Sequence, residues 1–148
     1  MKEGNAEFFD TNVLIYAALE DSPFRNLAWR AMDAFAALSA PLWISRQVLR
    51  EYIAAFTRFS TPLVSTEMIT RQVRHYESRF RIAEDGPAIT ATLLSLLESV
   101  SFGGKQVHDA NIVATALAYD IPCIVTHNII DFSRFSSHID IIPLETFG

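Results

Sequence analysis

Several ordinary routes to function are closed to this chain by what it lacks. It has a single cysteine, Cys123, among 148 residues. No Cys/His set with zinc-ligand spacing exists, and the lone thiol sits in an apolar run where it reads as a core residue. That pattern points to a reducing, cytoplasmic setting. No apolar run approaches the length of a membrane span, and Met1-Lys2-Glu3-Gly4-Asn5 is not the start of a signal peptide. A phosphate-cradling Walker loop, a dinucleotide fingerprint and a Gly-x-Ser-x-Gly elbow are all absent. Basic residues are in deficit, 12 Lys and Arg against 17 Asp and Glu, for a net charge of -5. This excludes a broad basic surface for nucleic acid and leaves only local or cation-bridged contacts. No repeat, low-complexity tract or linker divides the chain, so one domain over 1–148 is expected. Its 50% hydrophobic content implies a well-covered sheet or an apolar partner surface.

What is present alternates between two periodicities. The short apolar run Ala6–Phe9 reads as a buried strand that ends abruptly at Asp10. A helical pattern follows at Val13, Leu14, Ala17 and Ala18, with Thr11 or Asn12 as the expected cap. Leu27, Ala31, Phe35 and Leu38 mark a core-facing helix, stopped by Pro41. Leu42-Trp43-Ile44 reads as a strand, with Ser45 as the N-cap of a helix carrying Val48, Leu49, Tyr52, Ile53 and Phe56. A loop around Pro62 separates this from a helix marked by Ile69, Val73, Tyr76 and Phe80. Residues Phe80–Ala83 have the length of a short strand, and Ile89 to Val100 form an amphipathic helix behind Gly86-Pro87. A further helix opens after Gly103-Gly104, followed by strands at Cys123–Thr126 and Ile139–Ile142. Strands alternating with helices predict an α/β fold, a mainly parallel sheet covered on both faces. Arg71, Arg74, Arg79 and Arg81 read as solvated faces, with a grip on phosphates as the other reading.

Four acids fall at comparable places in this pattern. Asp10 ends the first strand, where α/β sheets bind ligands. Glu51 lies on or beside the inner face of its helix. Asp109 shares a helical face with Ile112, Val113 and Ala116. It can favour the positive end of the helix dipole or point into a pocket, and the small neighbours Ala110, Ala114 and Ala116 favour the pocket. Asp131 belongs to the polar cluster His127-Asn128-Ile129-Ile130-Asp131 that follows a strand. Right-handed crossovers carry such strand ends to one edge of a sheet. Carboxylates converging without matching cations repel one another and titrate upward. A hard divalent cation, Mg²⁺ or Mn²⁺, resolves that repulsion, and an acid-held cation suggests hydrolysis at a phosphate.

Four stretches in this order and spacing resemble the PIN-domain nucleases, and among them the VapC-like toxins of bacterial toxin–antitoxin pairs. They are Phe8-Phe9-Asp10-Thr11-Asn12-Val13-Leu14-Ile15-Tyr16, Ser45 to Glu51, His108-Asp109-Ala110 and Thr126 to Phe132. The resemblance extends from Glu7 to Pro143. It implies a three-layer α/β/α sandwich around a parallel sheet of about five strands. It also implies a Mg²⁺- or Mn²⁺-dependent endoribonuclease, a homodimer, and a cognate antitoxin that blocks the site. Asp10, Glu51, Asp109 and Asp131 match the family's acidic positions. Thr11, Asn12, Thr126 and Asn128 match its supporting polar positions. Asn128 stands where many relatives carry Asp, which leaves the fourth acid to Asp131. In the roles this implies, Asp10 and Asp109 are primary metal ligands and Glu51 binds directly or through water. Asp131 holds a second ion or orients the attacking water. Arg46, Arg50, Lys105, His108, His127 and Arg134 are candidates for RNA phosphate contact, with a surface or internally satisfied role as the other reading of each.

Other readings compete. A housekeeping RNA-processing nuclease would use the same chemistry without a toxin role. A phosphatase of the haloacid dehalogenase type also begins with an acid at a strand end, but it needs a second Asp where Asn12 stands. A non-catalytic module could use the acids only to attract basic partners.

Overall fold

The structure, a computed structural model, describes residues 5–58 and 64–148. Five strands, β1 (Glu7–Phe9), β2 (Leu42–Ser45), β3 (Arg81–Ala83), β4 (Cys123–Thr126) and β5 (Asp140–Pro143), form one sheet in the order β3-β2-β1-β4-β5. Every pairing is parallel, with Phe8 in register with Trp43 on one side and with Ile124 on the other. The helices are α1 (Thr11–Ala18), α2 (Arg25–Ala37), α3 (Arg46–Thr57), α4 (Thr66–Arg79), α5 (Pro87–Ser99), α6 (Gln106–Ala118) and α7 (Ile129–Phe132). Short 3₁₀ turns follow at Ser133–Phe135 and Leu144–Phe147.

Right-handed crossovers put α1 to α4 on one face, while the chain's return from β3 to β4 puts α5 to α7 on the other. Helix packing divides the same way: α1 lies on α2 and α3, α3 on α4, and α6 on α5 and α7. The result is the expected three-layer α/β/α sandwich. The two central strands, β1 and β4, are buried along their whole length because both faces are covered. Phe9 meets Phe35 and Phe80 edge to face at 6.0 and 5.7 Å, joining the sheet to α2 and to the end of α4. Beneath α3 and α4, Tyr52 stacks against Phe56 at 4.8 Å and Tyr76 at 5.3 Å. No helix among the described residues is long and apolar enough to cross a membrane.

Local signals account for most boundaries. Ser45 caps α3 as expected, its hydroxyl accepting from the Val48 amide at 3.2 Å. Pro87 occupies the first turn of α5, where its missing N–H costs nothing. The short strand after Phe80 is present as β3. The loop expected around Pro62 lies outside the described residues. Two local expectations change. The cap of α1 is Asp10 itself, in an extended conformation with its carboxylate accepting from the Thr11 amide, so Thr11 is the first helical residue. The first strand also contains an acid: Glu7 is only 1% exposed beside Cys123, and desolvation raises its pKa to about 7. Of the arginines read as solvated, Arg74 pairs with Glu77, Arg79 lies 3.9 Å from Asp33 and Arg81 sits over the Trp43 ring.

Candidate active site

The strand order reverses direction about β1. The chain leaves it toward β2 and β3, then returns to its other flank with β4 and β5. Connections therefore diverge at the carboxyl ends of β1 and β4, which opens a crevice there. Asp10 follows β1 and Thr126 ends β4, so the two meet at that point. Asp10 is 5% exposed, and both of its carboxylate oxygens accept hydrogen bonds. Its Oδ1 accepts from the Thr11 amide at 2.8 Å; its Oδ2 accepts from Thr126 Oγ1 at 2.7 Å and from Asn12 Nδ2 at 3.2 Å. Burial nevertheless dominates and raises the Asp10 pKa to about 7. The hydrogen bonds from Thr126 and Thr11 oppose the shift, and the charges of Glu51 and Asp109 reinforce it.

The other three acids approach from separate helices. Glu51, one turn into α3, accepts from Thr11 Oγ1 at 3.2 Å through one oxygen and from Gln47 Nε2 at 2.8 Å through the other. Asp109 stands half-buried in the first turn of α6. Its pKa is raised to about 6, first by desolvation, then by repulsion from Asp131 and Glu51; His108 and Arg134 pull it down. Asp131 is exposed in the first turn of α7. Asp10 thus interacts with Glu51 and Asp109, and Asp109 with Glu51 and Asp131, so the four form one electrostatic set. They do not close on a single point: among the described residues, no three His, Cys, Asp or Glu side chains are gathered tightly enough to enclose an ion. The interacting donors are all carboxylate oxygens, the set that hard divalent cations take.

The supporting polar positions are wired around Asp10. Thr126 Oγ1 donates to Asp10 and accepts from the Asn128 amide at 2.9 Å and from Asn12 Nδ2 at 3.3 Å. Asn12 Oδ1 in turn accepts from the His127 amide at 3.3 Å. The Asn128 side chain is exposed and does not cap α7.

The six basic candidates separate into two groups. Arg50 and His108 line a cleft of about 550 Å³ beside Glu51, together with Gln47 and Asn111. Arg134 lies near enough to Asp109 to lower its pKa, and its guanidinium donates to the Ser101 carbonyl at 3.4 Å. Lys105 is exposed just ahead of α6. Arg46 is turned elsewhere, with its guanidinium held by Glu77 at 2.6 Å and Glu84 at 2.8 Å. His127 is turned away as well: its ring packs on Phe24 at 4.3 Å and on Tyr16 at 5.6 Å, and faces the Glu145 carboxylate. Two site residues escaped the sequence reading, Gln47 and Asn111. Gln47 stands four positions before Glu51, the spacing of helical neighbours, and that was its one legible signal.

The fold and the acid set define an α/β protein with an acidic site at the switch point of a parallel sheet. The chain belongs to the PIN domain family, whose model matches residues 8–136. Comparison with curated proteins by sequence yields no match. Solved structures resemble the fold. VapBC2 from Rickettsia felis, bound to a DNA fragment from its promoter, matches with a TM-score of 0.70 at 20% identity, covering 93% of this chain and 98% of that one. DNA-bound VapBC from Salmonella typhimurium gives 0.68 at 19% identity, covering 95% and 98%. VapC20 from Mycobacterium tuberculosis, a sarcin–ricin loop cleaving toxin, gives 0.62 at 15% identity, covering 80% and 87%.

Proposed function

We propose that this PIN domain is a divalent-metal-dependent endoribonuclease and the toxin of a toxin–antitoxin pair, working in the cytoplasm as one domain. The observation that carries the nuclease reading is the electrostatic set of Asp10, Glu51, Asp109 and Asp131, brought to one sheet edge from a strand end and three helices. Mutual repulsion among buried and half-buried carboxylates is relieved by a cation, which supports a divalent metal in this reading. Asp10 and Asp109 would hold Mg²⁺ or Mn²⁺, with Glu51 direct or through water. When bound, the ion polarises a phosphodiester and lowers the pKa of water for attack. Asp131, the most exposed of the four, would orient the incoming water or bind a second ion. Thr126, Asn12 and Thr11 fix the carboxylates by hydrogen bonds. Arg50, Lys105, His108 and Arg134 would be the basic groups that meet RNA phosphates.

The toxin role is supported by likeness of fold to VapBC complexes and to VapC20, at low identity. A cognate antitoxin and a homodimer belong to the same proposal. Exposed Leu94 and Leu97 on α5 supply apolar surface for a symmetric pair. Light scattering at micromolar concentration should give a dimer; a stable monomer contradicts that part of the reading. The central test is cleavage of RNA by the purified chain. Activity should require Mg²⁺ or Mn²⁺, stop with EDTA and disappear in Asp10→Asn. Metal-independent cleavage, or none, defeats the nuclease reading. Expression in a bacterium with and without the neighbouring gene separates toxin from housekeeping enzyme: a toxin arrests growth only when that gene is missing.

A further inference from the structure

Gln47 and Asn111 are joined inside the cleft by an arrangement that leaves the Gln47 amide one orientation. Gln47 Nε2 donates to Glu51 Oε1 at 2.8 Å and to the His108 carbonyl oxygen at 2.9 Å, which uses both of its hydrogens. Gln47 Oε1 accepts from Asn111 Nδ2 at 2.8 Å. Turning the amide over would set its oxygen against a carboxylate and a carbonyl, and its NH₂ against the NH₂ of Asn111. The bonds therefore dictate the rotamer. Asn111 is anchored in its own helix, where its backbone carbonyl accepts from Thr115 Oγ1 at 2.7 Å.

The placement of this relay gives it a task. Gln47 and Glu51 lie one turn apart on α3, while His108 and Asn111 lie on α6, flanking Asp109. The relay ties together the two helices that carry Glu51 and Asp109, whose like charges repel. It also fixes one Glu51 oxygen while Thr11 fixes the other. Each oxygen accepts a single side-chain donor in these bonds and retains capacity to coordinate. We infer that Gln47, seconded by Asn111, is a positioning residue: it braces α3 against α6 and holds Glu51 oriented toward a divalent cation shared with Asp109. This rests on the metal-site reading proposed above and assigns the part of that site that no acid supplies. Groups that orient metal ligands typically change affinity by about 10- to 100-fold when removed.

The test is Mn²⁺ binding by isothermal titration calorimetry, with melting in EDTA as the measure of fold. Gln47→Met keeps length and volume but removes all three bonds. Its Mn²⁺ affinity should fall about 10- to 100-fold, with a melt in EDTA that stays cooperative but moves modestly down, because the three hydrogen bonds of the relay are lost. Asn111→Ala should lose less, and the double variant should bind no more weakly than Gln47→Met, since both act through one relay. Equal Mn²⁺ affinity in Gln47→Met and the parent overturns the inference alone. A parent that binds no Mn²⁺ overturns the metal-site reading and this inference with it. Should Gln47→Met melt without cooperativity, Asn111→Ala decides: weakened Mn²⁺ binding sustains the brace, and unchanged binding overturns it.

Discussion

Thr126 donates its hydroxyl hydrogen to Asp10 at 2.7 Å, a bond between residues 116 positions apart that ties the end of β4 to the end of β1. The same oxygen accepts from the Asn128 amide and from Asn12. One hydroxyl thus bridges the two strand ends at the switch point and supplies one of the three hydrogen bonds that Asp10 accepts. Thr126→Val keeps the shape and removes every bond of that hydroxyl. It leaves a buried carboxylate oxygen with one donor fewer and the Asn128 amide without its partner. A loss of about 1–3 kcal/mol is expected, read from denaturant midpoints. The Asp10 pKa should move further up, since the Thr126 bond holds it down; carbon-detected NMR titration would show it. A variant as stable as the parent would mean that the hydroxyl is not structural.

Asp109→Asn separates electrostatics from metal binding. The replacement is nearly isosteric, so the fold should survive. It removes one of the mutually repelling charges around Glu51 and Asp131. In EDTA near neutral pH the variant should melt above the parent. Mg²⁺ should reverse that order, because binding stabilises only a competent site. RNA cleavage should fall by orders of magnitude. If Mg²⁺ raised both melting temperatures equally, Asp109 would not be a ligand.

Glu7 predicts a pH dependence of stability away from the site. Its pKa is raised from 4.5 to about 7, chiefly by burial, with the Cys123 hydrogen bond opposing the shift and the Asp140 charge adding to it. An acid with a raised folded-state pKa holds its proton longer in the folded chain than in the unfolded one. Its stabilising contribution is therefore complete below about pH 4.5 and is lost as pH rises through about 7. Glu7→Gln, which stays neutral, should match the parent's melting temperature at pH 4.5 and exceed it by several degrees at pH 8. Parallel melting curves across that range would show that Glu7 is not buried in its charged form.

Partner binding should compete with metal. A set of carboxylates without a matching cation attracts Arg, whose planar fork pairs with two oxygens at once. An inhibitory partner is expected to place an Arg against Asp10, Glu51 or Asp109 and to lower Mn²⁺ occupancy. Replacing that Arg by Ala in the partner should restore cleavage. An inhibited complex with full metal occupancy would point to steric blocking of RNA instead.

The sequence alone determined the elements and the places of the acids. Periodicity within a window of a few turns is a local property, and it marked the helices that carry Glu51 and Asp109 along with the strands between them, but not α7, whose four residues are too few to show a period. Because a βα alternation commits the chain to parallel strands, it also committed Asp10, Glu51, Asp109 and Asp131 to one sheet edge. What touches what was decided only in three dimensions. Arg46 lies five positions from Glu51 in sequence, yet its charge is held by Glu77 and Glu84 on other elements. His127 follows Thr126 directly, but its ring joins Phe24, Tyr16 and Glu145. Glu7 reads as part of an apolar run, and only the packing of β4 beside it makes its carboxyl a buried one. The Gln47–Asn111 bond spans 64 residues. Polar side chains choose partners by distance and donor geometry after the helices have docked, and those contacts leave no periodic trace in the chain.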